Sequence, residues 1–297
     1  ILADYIIERH FKLSLSSKNI YEKFLMEIIK SQANLISKWM SAGFIHGVMN
    51  TDNTCLSGET IDYGPCAFMD IFDYNKVFSS IDYQGRYSYK NQPNTILWNL
   101  TRFAETILPL IDNNLNKSIK KAEEILNEFA SIYESNWISI MGYKLGIDEA
   151  NKTDKNLIEE FLTLMQNQQL DFTNSFYSLS FLIEKDQIEK EGPPKSHKIY
   201  SKIKSSDWYA KWTKRLNINK KNLKKILKTL LINNPSIIPR NHIVEKVLND
   251  AIYENKKDSL NDFLNALNDP YKLRTFDDPY TKPPSPNEEV TQTFCGT

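Results

Sequence analysis

The chain has 297 residues, of which 41% are hydrophobic and 25% charged, as is usual for a globular protein. Its 37 basic and 37 acidic residues balance, which argues against nucleic acid as the main partner and against a polybasic membrane anchor. No segment approaches the ~20 consecutive apolar residues that a membrane-spanning helix needs. We therefore expect neither a nucleic-acid partner nor a membrane partner.

The cysteines and the first residues bear on where the protein works. Cys55, Cys66 and Cys295 are too few for a disulfide framework, so a reducing compartment is expected. The sequence begins at Ile1 without an initiator methionine, which indicates that it is part of a longer protein. We expect a cytoplasmic protein, with a mitochondrial location as the alternative.

Most of the chain has the apolar periodicity of amphipathic helices. Between 20 and 42 the apolar side chains recur at intervals of three and four, with Asn19 and Glu22 as a capping pair and Gly43 as the stop. A second helix is predicted from Pro93 to Pro109, which should end it. Further helices are predicted at 115–138, 154–168, 172–184, 207–215, 221–232, 241–254 and 257–268.

Strand signals are scarce and fall between residues 43 and 85, where five of the nine glycines lie. Two short strands, 55–61 and 66–70, are predicted to form a small hairpin. The lysine-rich stretch 185–205 contains Gly192-Pro193-Pro194 and is predicted to be an exposed loop. After 269, the many prolines predict an extended or disordered tail.

The segment that carries chemistry is 46–64. His46 and Asn53 are seven positions apart, the spacing of the catalytic loop H-R-D-x-x-x-x-N of protein kinases, and Asp62-Tyr63-Gly64 parallels the D-F-G that follows it. An amide oxygen and a carboxylate suit Mg²⁺, which prefers oxygen ligands. The position of the kinase catalytic Asp holds Val48, which cannot accept a proton, so either Asp52 is the base or the protein is a pseudokinase.

Longer motifs make the similarity more specific. They are Gly43-Phe44-Ile45-His46-Gly47-Val48-Met49-Asn50-Thr51-Asp52-Asn53, Thr60-Ile61-Asp62-Tyr63-Gly64-Pro65, Asp82-Tyr83-Gln84-Gly85-Arg86-Tyr87, Asn91-Gln92-Pro93, Asp171-Phe172-Thr173-Asn174 and Arg240-Asn241. With shorter matches from Leu2 to Cys295, the chain closely resembles the selenoprotein O family over nearly its whole length.

That resemblance implies a function and roles for three residues. The family has a protein-kinase-like fold and transfers AMP from ATP to Ser, Thr or Tyr hydroxyls of proteins, releasing pyrophosphate. Transferred residue by residue, Asp52 is the base, and Asn53 and Asp62 hold Mg²⁺ (or Mn²⁺). Some members have a Cys, able to pair with the C-terminal Cys, in the segment where this chain has Phe78, so a redox role for Cys295 is an open question.

The expected fold is mainly α. Residues 1–112 would form a kinase-like C-lobe with a small β-hairpin at the catalytic loop, 113–268 a helical region and 269–297 the extended tail. The N-lobe, with its Gly-rich loop and phosphate-binding Lys, would precede Ile1, so the isolated chain should be inactive. A kinase-like phosphotransferase and a catalytically inactive helical scaffold are the alternatives.

Two single residues near the loop carry expectations of their own. His46 is expected to be a packed structural residue under the loop, not a base. Arg86 is expected to form a structural salt bridge, with a phosphate or substrate contact as the alternative.

Overall fold

The computed structural model describes residues 1–188 and 198–294, and helices dominate both ranges. The mainly α prediction is therefore confirmed. The helices are α1 Leu2–His10, α2 Ile20–Ala42, α3 Gln92–Ile111, α4 Leu115–Lys144, α5 Lys155–Gln168, α6 Phe172–Ile188, α7 Lys198–Lys204, α8 Asp207–Leu216, α9 Leu223–Asn233, α10 Asn241–Tyr253 and α11 Asp258–Leu267. Among these residues, no helix is both long enough and apolar enough to cross a membrane.

Helix α2 is the centre of the fold. Its apolar stripe, including Phe24, Ile28 and Ile36, is fully buried, and it packs mainly against α4 and α3. The helix ends where predicted, because Gly43 takes the left-handed conformation (φ 68°) that most side chains avoid. The chain then enters the segment that carries the candidate site.

The two strands differ from the predicted hairpin. Phe44–Ile45 (β1) pairs in antiparallel register with Ala67–Phe68 (β2), and the predicted strand at 55–61 does not form. The backbone carbonyls of this segment instead accept hydrogen bonds from side chains of α2: Gln32 donates to Cys55 O at 2.6 Å and Ser31 donates to Ser57 O at 3.1 Å. The strand pair thus closes the base of the whole 46–66 loop.

Three helix boundaries also need correction. Helix α3 continues past Pro109 to Ile111, because a proline in the last turn costs few backbone bonds and Ser118 donates to the Leu108 carbonyl at 2.5 Å. Helix α4 extends to Lys144. The stretch 185–205, predicted as a loop, contains the end of α6 and the whole of α7; residues 189–197, with Gly192-Pro193-Pro194, lie outside the described residues.

The chain after 269 has no helix within the described residues and packs against the helical body. Thr281 and Phe276 are buried, and the Thr281 carbonyl accepts from Asn174 at 3.0 Å. Farther along, Thr293 forms a parallel bridge with Ser79. The expected extended character is present, and the division at 112/113 and 268/269 stays a prediction.

A buried ionic cluster joins these parts. The Arg240 guanidinium is fully buried and donates to the carboxylates of Asp70 and Asp171 and to the Thr281 carbonyl, the last at 3.2 Å. Asp70 follows β2, Asp171 precedes α6 and Thr281 is in the tail. One side chain therefore fixes three segments that are far apart in sequence.

Replacing Arg240 should be strongly destabilising. Arg240→Met would leave two carboxylates inside the protein without their cation, and we expect a loss of about 3–5 kcal/mol in the free energy of unfolding. Urea denaturation measures this loss. The control is Lys225→Met, which breaks the exposed pair with Asp148 and should change little; equal losses in the two variants would contradict a structural role for the cluster.

Candidate active site

The candidate catalytic loop, residues 46–53, begins directly after β1 and lies against the segment that precedes β2. Gly47 has φ 84°, and a Cβ at this position would lie 2.8 Å from the Pro65 carbonyl oxygen. Glycine is required there for both reasons, because the conformation is left-handed and a side chain would collide with backbone. The two halves of the predicted site are thus in direct contact.

His46 connects these two halves from the buried side of the loop. It is fully buried and stacked on Trp39, and its Nε2 lies 2.8 Å from the Ile61 carbonyl, one residue before Asp62. Burial lowers its pKa, while the Ile61 carbonyl and the Asp62 carboxylate oppose that shift. A neutral imidazole that donates to Ile61 fits this position, and the predicted packing of His46 under the loop is confirmed.

Two polar side chains of α3 hold the loop backbone from the other side. Gln92 accepts from the His46 N–H at 3.0 Å and donates to the Phe44 carbonyl at 2.9 Å. Asn99 donates to the Met49 carbonyl at 3.0 Å and to the Thr54 hydroxyl at 2.8 Å. Sequence reasoning did not assign either residue a role, although their place on the apolar face of α3 is a signal: a polar side chain buried there needs a partner.

Of the three predicted site residues, Asp52 and Asp62 are exposed and Asn53 is half-buried. Asp52 is exposed in a single 3₁₀ turn, Thr51–Asn53. Asn53 donates its amide N–H to the Val48 carbonyl at 3.0 Å, which leaves its Oδ1 available as an acceptor. Asp62 is exposed, at a positive φ of 54°, and accepts only a long bond from Gly64 N at 3.4 Å.

The donor set suits a hard divalent cation. Asn53 Oδ1 and the Asp62 carboxylate are oxygen donors on two segments that contact each other, and Mg²⁺ commonly takes one or two protein oxygens together with phosphates and water. In 1–188 and 198–294, no cluster of three or more His, Cys, Asp or Glu side chains is arranged to hold a metal. The pair therefore suits an ion brought with a nucleotide better than a closed all-protein site.

Arg86 does not form the expected salt bridge. Within the described ranges no carboxylate lies within 4.0 Å of its guanidinium, which instead lies 4.7 Å from the ring centre of Trp98. The nearby Asp82 carboxylate is occupied by the backbone N–H groups of Arg86 and Tyr87, at 2.9 and 2.8 Å. Stacking on an aromatic ring stabilises the side chain in place of an ion pair.

The tail also reaches this region. Thr293 donates its N–H to the Phe78 carbonyl at 2.7 Å and its hydroxyl to the Pro65 carbonyl at 2.5 Å. Pro65 directly follows the Asp62-Tyr63-Gly64 turn, so the tail fixes one end of the segment that carries Asp62. Cys295 lies outside the described residues, and its redox role stays an open question.

Asn99 should determine how rigid the catalytic loop is. Asn99→Ala removes the donors to Met49 and Thr54, and we expect faster amide hydrogen exchange across 49–54, corresponding to about 1–3 kcal/mol of local stability. Mass-spectrometric hydrogen exchange measures the effect. Asn94→Ala, an exposed change on the same helix, is the matched control; similar exchange in the two variants would show that Asn99 does not hold the loop.

Comparisons with known proteins identify the family. The family described as "Protein adenylyltransferase SelO" matches residues 1–268. A protein named "Protein nucleotidyltransferase YdiU" from Clostridium perfringens is 46% identical over 298 residues, and one of the same name from Clostridium botulinum is 45% identical over 296 residues. Each alignment covers 100% of this chain and 58% of the relative, so the chain spans little more than half the length of these relatives. The chain belongs to the SelO family.

Proposed function

We propose that this chain carries the catalytic loop and the metal-binding turn of an ATP-dependent protein adenylyltransferase. The observation that supports this most is the contrast within 46–65. Buried hydrogen bonds from His46 and Gln92 fix the backbone, whereas acceptor oxygens of Asp52, Asn53 and Asp62 are left available. A segment that only closed a scaffold would have no need to hold three acceptor groups open.

The proposed reaction is the transfer of AMP to a protein hydroxyl. Asp52 accepts the proton of a Ser, Thr or Tyr hydroxyl, the oxygen forms a bond to the α-phosphorus of ATP, and the bond to the leaving pyrophosphate breaks. Asn53 Oδ1 and the Asp62 carboxylate would hold Mg²⁺ or Mn²⁺, which would neutralise charge on the phosphates. The rigid backbone beneath keeps these groups in place without reorganisation.

The kinase-like C-lobe belongs to the same proposal. In protein kinases a long helix precedes the catalytic loop, and the metal-binding D-F-G follows it. This chain has the same order: α2 and β1, then the proposed catalytic loop, then the Asp62-Tyr63-Gly64 turn, then β2 and α3. Val48 occupies the place of the kinase base and is nearly buried, at 8% exposure, so a proton acceptor has to come from elsewhere in the loop. Asp52 is the exposed carboxylate of that loop.

The test follows the label from ATP in the full-length protein. ATP labelled at the α-phosphate should mark the acceptor protein, and ATP labelled at the γ-phosphate should not. Asp52→Ala should slow transfer by roughly 10²–10⁴-fold, as expected for loss of a general base. Asp62→Ala should slow it further, because the ion that neutralises transition-state charge loses a ligand.

The control and the contrary outcomes are specific. Asp262→Ala removes an exposed carboxylate of α11 and should leave the rate unchanged. Label arriving from the γ-phosphate would make the protein a kinase-like phosphotransferase. Normal transfer by Asp62→Ala would exclude the metal role, and absence of any transfer by the full-length protein would favour the scaffold alternative.

The 297-residue chain alone should transfer little or no AMP. The chain covers 58% of its relatives, and we infer that groups needed to hold the ATP phosphates lie in the part of those relatives beyond it. Incubation of the purified chain with α-labelled ATP and Mg²⁺ measures this. Incorporation at a rate close to that of the full-length protein would refute the inference.

A further inference from the structure

An exposed aromatic and basic surface borders the catalytic loop. It is formed by Tyr83, Arg86, Tyr87, Trp98 and Arg102, and is called here the Arg86 surface. Trp98 is 44% exposed and Tyr83 is 91% exposed. The guanidinium carbons of Arg86 and Arg102 lie 4.7 and 5.4 Å from the Trp98 ring centre. Tryptophan, tyrosine and arginine are the residue types that contribute most to protein–protein binding energy.

Arg86 is the available cation of this surface. The Arg86 side chain is exposed, and its guanidinium carbon lies 4.7 Å from the Trp98 ring centre. A guanidinium that contacts an aromatic ring through its face keeps the N–H donors of its edge available. Within the described residues no carboxylate pairs with Arg86, while Arg102 is paired with Glu105 at 2.7 Å. The Arg86 guanidinium can therefore donate two hydrogen bonds to one carboxylate, in the bidentate geometry that arginine favours.

The surface is continuous with the groups proposed for catalysis. Tyr87, which contacts Arg86, donates its hydroxyl to Asn50 Oδ1 at 2.5 Å. Asn50 is the N-cap of the 3₁₀ turn Thr51–Asn53, so the Tyr87 hydroxyl lies beside the turn that carries Asp52. A chain that lies on Arg86 and Trp98 would reach Asp52 within a few residues.

We propose that the Arg86 surface binds the segment of the acceptor protein that flanks the modified hydroxyl, with a carboxylate of that segment bound by Arg86. This inference rests on the proposed function and specifies its substrate class, hydroxyl-bearing segments with an acidic neighbour. Two large side chains that precede Arg86 closely in the chain, Tyr83 at 91% and Ile81 at 67% exposure, favour a peptide over a nucleotide phosphate. A phosphate would gain nothing from exposed apolar neighbours, whereas a peptide would bury them.

The experiment measures peptide binding without nucleotide. The probes are two dye-labelled dodecapeptides with one serine, identical except that three glutamates in one are glutamines in the other. Fluorescence anisotropy with the full 297-residue chain should show about tenfold tighter binding of the glutamate peptide, as expected for a charge-assisted pair. Arg86→Gln should remove this preference, and Trp98→Ala should weaken both peptides.

The controls separate a specific site from general charge. Arg9→Gln removes another exposed arginine, on α1, and should leave the tenfold preference unchanged. Circular dichroism confirms that the variants remain folded. An unchanged preference in Arg86→Gln would overturn the proposal, as would equal binding of the two peptides by the unmodified chain.

A phosphate role for Arg86 is a distinct result. If Arg86→Gln weakened binding of ATP by the full-length protein and left the peptide preference intact, Arg86 would be a nucleotide contact and the proposal would be wrong. Because the peptide assay contains no nucleotide, failure of AMP transfer and failure of peptide recognition are separate observations.

Discussion

The fold depends on satisfying one buried cation. Arg240 has no exposed surface, and an unpaired guanidinium inside a protein would be prohibitively costly. Its donors reach Asp70, Asp171 and the Thr281 carbonyl, and Asp171 also caps α6 by accepting from Asn174 N at 2.7 Å. The backbone follows the same connection, since Phe172 N donates to the Asp70 carbonyl at 2.7 Å. Because β2 ends two residues before Asp70, the strand that closes the 46–66 loop is positioned by α6 and by the tail.

Neutral buried groups around the 46–66 loop also need hydrogen-bond partners, as Arg240 does. His46, Gln92 and Asn99 are buried polar side chains whose partners are loop backbone atoms, so their desolvation is offset only when the loop has this conformation. Movement of the loop would leave several buried donors and acceptors unpaired at once. The candidate site residues keep their side-chain oxygens available, although Asn53 also donates its amide N–H to the Val48 carbonyl. Most of the support for the loop therefore comes from residues other than the three proposed for the site.

The sequence predicted the local features well. The start of α2 and its end at Gly43 follow from apolar spacing and from a glycine stop, both of which are properties of neighbouring residues. The strand pairing was wrong because Phe44–Ile45 and Ala67–Phe68 are too short to show periodicity, and their partners are set by contacts 22 or more residues apart. The same limit explains why the seven-residue α7 was predicted as loop.

The candidate site residues that form a sequence motif were predictable, whereas the residues that hold the loop backbone in place were not. Asp52, Asn53 and Asp62 are identified by spacing and by family resemblance, and their roles stay proposals. Gln92 and Asn99 could be found only by asking why an amide lies on an apolar helix face, since nothing in sequence identifies the carbonyl it will meet. Arg86 was predicted to pair with a carboxylate because charge pairing is the common solution, but the aromatic ring of Trp98, twelve residues away, provides another.

The conformation of Asp62 shows how the supports act on the candidate metal site. Its φ of 54° is in the left-handed region, which costs a non-glycine residue about 1 kcal/mol or more, although aspartate tolerates it better than most. The flanking residues are fixed on both sides, since the Ile61 carbonyl contacts His46 at 2.8 Å and the Pro65 carbonyl accepts from Thr293 at 2.5 Å. A turn held at both ends can keep an unfavourable conformation that a free loop would relax. The contacts at Ile61 and Pro65 therefore fix the backbone conformation of Asp62. The orientation of the Asp62 carboxylate thus depends on buried His46 and on Thr293 of the tail, and not only on the turn.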